Sequence, residues 1–255
     1  MTRVLLVGAG GIGAPCAIAL AAAGLRELAV VDDDAVELSN LHRQILFSDG
    51  DVGRPKLHAF AAALARRAPE LQVIQHATRF LPSTAASLLE GVSVVVDATD
   101  NFASRFLIAD ACAHARVAVV HAAAVRWHAT VVAVSALGRP CYRCLFEDLP
   151  EGPAPDCASA GVVGPVCGVA GAVAADRALR FLAGDASKTG AVVTYDGLTD
   201  VLREVRVKRR ADCALCGESP VIRSIEEGRY AAEACASTEE LSWKPRSESQ
   251  PLSAR

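Results

Sequence analysis

An α/β fold built on a doubly wound, mainly parallel sheet is predicted by three observations. Val4-Leu5-Leu6-Val7 is an apolar run of strand length that passes directly into Gly8-Ala9-Gly10-Gly11-Ile12-Gly13. Residues 14–23 are then helix-forming, Gly24 ends them, and Leu28-Ala29-Val30-Val31 closes on Asp32-Asp33-Asp34. Apolar runs at 71–76, 92–96 and 117–124 alternate with helix-like segments, as in a parallel sheet covered on both faces.

The opening reads as a Rossmann-type unit of strand, glycine turn, helix, strand and acid. Gly8 permits the sharp exit from the strand. Gly10 and Gly11 let backbone N–H groups approach a phosphate, and Gly13 allows close packing of the helix. The helix N-terminus adds unpaired N–H groups and the positive end of its dipole. Asp32 is placed to accept hydrogen bonds from ribose hydroxyls.

After Asp34, residues 35–40 form a polar connector and 41–47 a short helix. A longer helix begins at Gly53-Arg54-Pro55-Lys56, with Pro in its first turn, and runs to about Arg67. Ser83 is the expected N-cap of a helix through Leu89. Residues 101–115 read as helix. The alternation then stops: 129–135 is a strand with no crossover helix behind it, 139–146 is irregular, and 147–163 is a Pro/Gly-rich loop of a length that is usually functional. An apolar helix over 166–183 is followed by strands at 191–195 and 201–207. Arg203, Glu204 and Arg206 give the last strand one solvated face. The expected division is a nucleotide-binding core at 1–135, a zinc-stapled region continuous with it at 136–235, and a polar tail at 236–255.

Composition removes several functions. Of 255 residues, 52% are hydrophobic, enough for a large core, and the net charge of −3 with no basic face argues against nucleic acid or an anionic membrane as partner. No apolar run reaches the roughly 20 residues of a membrane span. The first strand starts too early to leave room for a signal peptide, so a cytoplasmic location is expected. In such a compartment 9 cysteines point to metal or thiol chemistry, not disulfides.

Four constellations carry chemistry. Cys141-Tyr142-Arg143-Cys144 and Cys213-Ala214-Leu215-Cys216 are two C-x-x-C pairs that together make a tetrahedral four-thiolate set suited to structural Zn²⁺. A redox disulfide within one pair is the alternative. Asn40, Arg43 and Lys56 follow the second strand. Alone they read as solvated surface, but beside the glycine turn they suit a triphosphate, Arg43 as a fork and Lys56 as a point charge. Asp97-Ala98-Thr99-Asp100-Asn101 ends a strand at the carboxyl edge of the sheet, where Asp100 is placed to hold Mg²⁺ or to cap the next helix. Arg105, one turn on, either pairs with a carboxylate or faces solvent. Cys157, in the long loop, is either a nucleophile or carrier of an acyl or persulfide group, or an ordinary free cysteine. Cys16, Cys112 and Cys167 read as core filling; Cys235 and His42 receive no role.

Taken together, these segments resemble the MoeB/ThiF/HesA family, bacterial relatives of ubiquitin-activating enzymes. The likeness is carried by 8–13, 31–34, 38–44, 52–56, 97–101, 140–144, 156–165 and 213–217. It implies ATP-dependent adenylation of the C-terminal glycine of a small ubiquitin-like sulfur-carrier protein ending in Gly-Gly, with Mg²⁺ as cofactor and release of pyrophosphate. By this resemblance Asp32 holds the ribose, Asn40, Arg43 and Lys56 the phosphates, and Asp100 the Mg²⁺. The 147–163 loop crosses the carrier's tail, and Cys157 takes part in sulfur transfer in some relatives. A homodimer and a sulfur-donor protein are further implied partners. Family members usually carry an N-terminal helical segment that supports the dimer and supplies an arginine. Here the first strand opens at about Arg3, so that segment and a C-terminal rhodanese domain are both expected to be lacking. Two other functions compete with this one. An NAD-dependent oxidoreductase is opposed by the Arg43/Lys56 pair and by the absence of an evident hydride-transfer acid/base pair. A nucleotide-binding scaffold without turnover is separated from the enzyme only by pyrophosphate exchange.

Overall fold

The central strands of the sheet are buried on both faces because nearly every residue in them is apolar. The computed structural model describes residues 3–149 and 160–230. It is an α/β fold on one mixed sheet of 8 strands, ordered β3-β2-β1-β4-β5-β6-β7-β8. β1 (Val4–Val7), β2 (Glu27–Val31), β3 (Gln72–His76), β4 (Val94–Asp97) and β5 (Ala118–Val125) are parallel. β6 (His128–Val134), β7 (Ala191–Asp196) and β8 (Val201–Arg206) extend the sheet from β5, each antiparallel to the strand before it.

Helices cover both faces. One core joins α1 (Gly13–Ala22), α2 (Lys56–Arg67) and α5 (Gly164–Leu182) to the side chains of Val4, Leu6, Val94, Val96 and Val120. The other joins α3 (Pro82–Leu89) and α4 (Phe102–Ala115) to Leu5, Val95 and Val119. This two-faced burial follows from the alternation of side chains along each strand. It leaves the carboxyl ends of β1, β2, β4 and β5 pointing at one edge, where the functional loops begin.

Three local expectations change. Residues 41–47 are successive turns, not a helix: Gln44, Leu46 and Phe47 are buried and Ile45 is exposed, so packing rather than propensity sets the path. Ser83 is not the N-cap of α3. Leu81 takes that position, Pro82 opens the helix, and the Thr84 hydroxyl accepts from the Leu81 N–H at 2.9 Å. β8 is solvated on both faces, not one, because it is the edge of the sheet; its charged Arg203, Glu204 and Arg206 suit an unpaired edge.

Candidate functional site

The glycine turn is fixed by two close approaches. Gly8 adopts φ +100°, open to glycine at little cost, and a methyl on Gly13 would sit 2.0 Å from the Gly8 carbonyl oxygen. α1 can therefore start directly against the end of β1. Beside this turn lies an open cavity of about 660 Å³ at the carboxyl edge of the sheet. Gly8, Gly10, Gly11, Asp32, Asn40, Arg43, Lys56 and Asp100 all line it, so the residues read as nucleotide ligands from the sequence converge on one place. Gly13 does not line it and acts from beneath.

Asp32 directly follows β2 with its carboxylate already oriented: it accepts from the Ala9 N–H at 2.8 Å and the Asp34 N–H at 3.0 Å. Burial raises its pKa, and Lys56 and the two N–H groups only partly oppose that. Lys56, at the start of α2, is 6% exposed, and its ammonium donates to Asp34 at 2.7 Å. Arg43 Nη2 donates to the Asn40 side-chain oxygen at 2.6 Å, while the Asn40 amide donates to Glu37 at 3.2 Å. Asn40 thus orients Arg43 in addition to lining the cavity. α5 presses on the same segment: a methyl on Gly164 would lie 2.7 Å from the His42 carbonyl oxygen. Among the described residues Arg43 forms no ion pair with a carboxylate, and its guanidinium faces the cavity.

Asp100 is exposed at the cavity and makes no hydrogen bond or ion pair among the described residues. Asn101, not Asp100, caps α4, accepting from the Ser104 N–H at 2.8 Å. A free carboxylate facing a polar cavity fits a hard cation such as Mg²⁺. Arg105, which the sequence left between a carboxylate and solvent, takes the carboxylate: it is 7% exposed, pairs with Asp97 at 4.0 Å and donates to the carbonyl oxygens of Thr99 and Ala122.

Sequence reasoning gave no role to two residues of the cavity. Gln44 is 3% exposed, and its Oε1 has no partner among the described residues. The signal was present: it directly follows Arg43 in a segment bent toward the glycine turn. Arg79 follows the carboxyl end of β3 and pairs with Asp33 at 2.9 Å. Only the strand order reveals that this end faces the site. Cys157 lies outside the described residues. The return leg of its loop is held where Val162 bridges Arg126 and the Arg126 N–H donates to the Gly161 carbonyl at 2.8 Å.

The four cysteines form a separate knot. Cys141, Cys144, Cys213 and Cys216 are buried, with all four Sγ atoms within 4.8 Å of one another. The closest pairs, Cys141 with Cys213 and Cys144 with Cys216, are both 3.4 Å apart, and Cys141 with Cys144 is 3.9 Å. Tetrahedral thiolates around Zn²⁺ stand roughly 3.8 Å apart, so the donor set fits that ion. Mutual thiol contacts push Cys216 down to about 5 and push Cys141 up.

A ThiF family model matches residues 1–215. The SAMP-activating enzyme E1 of Haloferax volcanii is 40% identical over 237 residues, which cover 92% of this chain and 87% of that protein. The adenylyltransferase and sulfurtransferase MOCS3 of Sus scrofa is 38% identical over 247 residues, covering 94% of this chain and 54% of its own, so the chain spans about half the length of that relative. The crystal structure of E. coli MccB with ATP superposes with a TM-score of 0.71 at 23% identity, over 85% of this chain and 67% of that one, and shares the fold. The chain belongs to the ThiF family.

Proposed function

We propose that this ThiF-family chain uses ATP to adenylate the C-terminal glycine carboxylate of a small ubiquitin-like sulfur-carrier protein. One observation carries the reading: Arg43 without an ion pair, a buried Lys56, an unpaired Asp100 and a pre-oriented Asp32 converge on one cavity at the glycine turn. A dinucleotide needs no second cation there. A triphosphate attacked by an anion does, because nucleophile and α-phosphate repel each other, and catalysis then rests on positioning and charge neutralisation.

Asp32 accepts from the ribose hydroxyls, and the N–H groups of the glycine turn and Arg43 face the phosphates. Lys56 exchanges its bond to Asp34 for a phosphate oxygen when nucleotide enters. Asp100 holds Mg²⁺, which neutralises charge on the phosphates when bound. The carrier carboxylate oxygen forms a bond to the α-phosphorus as the bond to the bridging oxygen breaks, and pyrophosphate leaves with that electron pair. The 147–163 loop crosses the carrier's tail, and Cys157 takes part in sulfur transfer.

The same reading gives the four cysteines a structural Zn²⁺. It divides the chain into a nucleotide core at 1–135, a carrier-binding region at 136–235 and a tail at 236–255. It makes the protein a cytoplasmic homodimer served by a sulfur donor, with no nucleic-acid or membrane partner. Among the described residues no helix is long and apolar enough to cross a membrane.

The test is exchange of labelled pyrophosphate into ATP with a carrier ending in Gly-Gly. Exchange that needs the carrier and is lost in Asp100→Ala is expected. A melting temperature raised by NAD but not by ATP with Mg²⁺ overturns the reading.

A further inference from the structure

Behind the cavity, a chain of buried polar groups runs from the loop that carries Asp100 to the cysteine knot. Asp97, the last residue of β4, is fully buried and faces away from the cavity. Its Oδ1 accepts from the Thr99 N–H at 2.9 Å and the Thr99 hydroxyl at 2.6 Å. Arg105 takes the Thr99 carbonyl oxygen. Each polar group of Thr99, the neighbour of Asp100, is thus held from behind. The loop is also fitted to the glycine turn, since the Ala98 N–H donates to the Val7 carbonyl at 2.9 Å.

Asp97 is itself held by His121, directly opposite it on β5, whose Nδ1 donates to Asp97 Oδ2 at 2.7 Å. Burial, the largest influence, would raise the Asp97 carboxyl, but Arg105, His121 and Thr99 together outweigh it and keep the group ionised and accepting. His121 has no other directed contact: it is 1% exposed and its Nε2 has no partner among the described residues. An apolar side chain would fill that space without leaving a buried nitrogen unpaired, so the bond to Asp97 is what offsets the burial of an imidazole here. The ring is set by Tyr142, 4.4 Å away between centroids, which packs in turn on Phe106 at 5.3 Å and Phe146 at 4.9 Å. Tyr142 is the residue immediately after Cys141, inside the turn Tyr142–Cys144 that presents the first two thiols.

We propose that His121 and Tyr142 are positioning residues. They hold Asp97, and through it the 97–101 loop, in the shape that presents Asp100 to the nucleotide's cation, so that the cysteine knot and the cavity share one support. The part concerning the cation rests on the adenylation reading; the support of the loop does not.

The experiment uses the full chain with His121→Leu, His121→Asn and Tyr142→Leu. Two readouts are taken: amide hydrogen exchange of the 97–101 segment without ligand, and calorimetric affinity for ATP with Mg²⁺. His121→Leu should speed exchange and weaken the nucleotide about tenfold, the scale on which supports of a ligating group act. Tyr142→Leu should move both in the same direction by less. His121→Asn keeps a donor toward Asp97 and should return both to within about twofold of wild type. Unchanged exchange in His121→Leu, or an Asn variant as loose as the Leu variant, overturns the proposal. Faster exchange with unchanged affinity overturns its link to the nucleotide. A wild type that binds no ATP removes the adenylation reading, while exchange still decides the support.

Discussion

Arg43 and Arg143 are both inward-facing arginines on short irregular segments, and they are held in opposite ways. Arg43, half-buried in the cavity, has one good bond, to the neutral Asn40 side chain. Arg143, inside the cysteine knot, is 2% exposed and forks onto the fully buried Asp110 at 2.9 Å through both Nε and Nη2. Its Nη1 reaches Asp148 at 3.1 Å, its guanidinium carbon lies 4.7 Å above the Phe106 ring, and the Tyr230 hydroxyl donates to the same Asp110 at 2.9 Å. One region leaves its arginine facing an open cavity without an ion pair. The other spends its charges on itself, tying α4, the knot and the segment that carries Tyr230 together. The two arginines therefore weigh differently on function and stability, and substitutions at them should separate the two effects.

The largest effect is expected in the knot. Arg143→Ala leaves Asp110 buried without its main partner, a change that costs on the order of 3–5 kcal/mol. Chemical denaturation should read the loss directly. Arg143→Met with Asp110→Leu, which removes both charges, should recover part of it. If the single and double variants are equally unstable, the pair is not what holds the region.

The cavity should behave the other way. Arg43→Ala is expected to lower carrier-dependent pyrophosphate exchange about 100- to 1000-fold, the scale for one preorganised charge at a reacting centre. Its melting temperature should stay within about 2 °C of wild type, since no ion pair is broken. An Arg43→Ala protein that unfolds as readily as Arg143→Ala would erase the distinction between the two regions.

How much of this was legible depended on whether the signal is local. The glycine turn, the acid after β2 and the paired C-x-x-C spacings are short patterns whose chemistry needs those residues, and each holds its place. Asn40 was assigned to phosphate, yet it also orients Arg43, because a side-chain partner three residues away is invisible without the turn that joins them. The turns at 41–47 were misread as helix because the pressure of Gly164 on His42 comes from more than 100 residues downstream. His121 gave no signal at all: its bond to Asp97 exists only because β4 and β5 are neighbours in register. The Arg143–Asp110–Tyr230 cluster joins three distant segments and could not be read from any of them.

The finest test lies between two aspartates at the carboxyl ends of β2 and β4, the strands that flank β1. Asp97 has its pKa lowered, so its ionised form stabilises the fold. That contribution is fully present above the ordinary aspartate value of about 3.9 and is lost as pH falls through the lower folded value. Asp32 has its pKa raised, mainly by burial, so the native state holds its proton more tightly than the unfolded chain does. Its ionised form therefore costs stability above its folded pKa, and this cost disappears as pH falls toward the ordinary value. Asp97→Asn should lose about 1–3 kcal/mol at pH 7, the scale for an impaired buried hydrogen-bond partner, and the deficit should shrink below about pH 4. Asp32→Asn should shift stability at pH 7 by less than about 1 kcal/mol, toward a more stable protein, while nucleotide binding falls. Urea unfolding of both variants between pH 3 and pH 7 reads the two signs against each other. If the two variants share a sign at neutral pH, Asp32 is not held at a cost for a ligand.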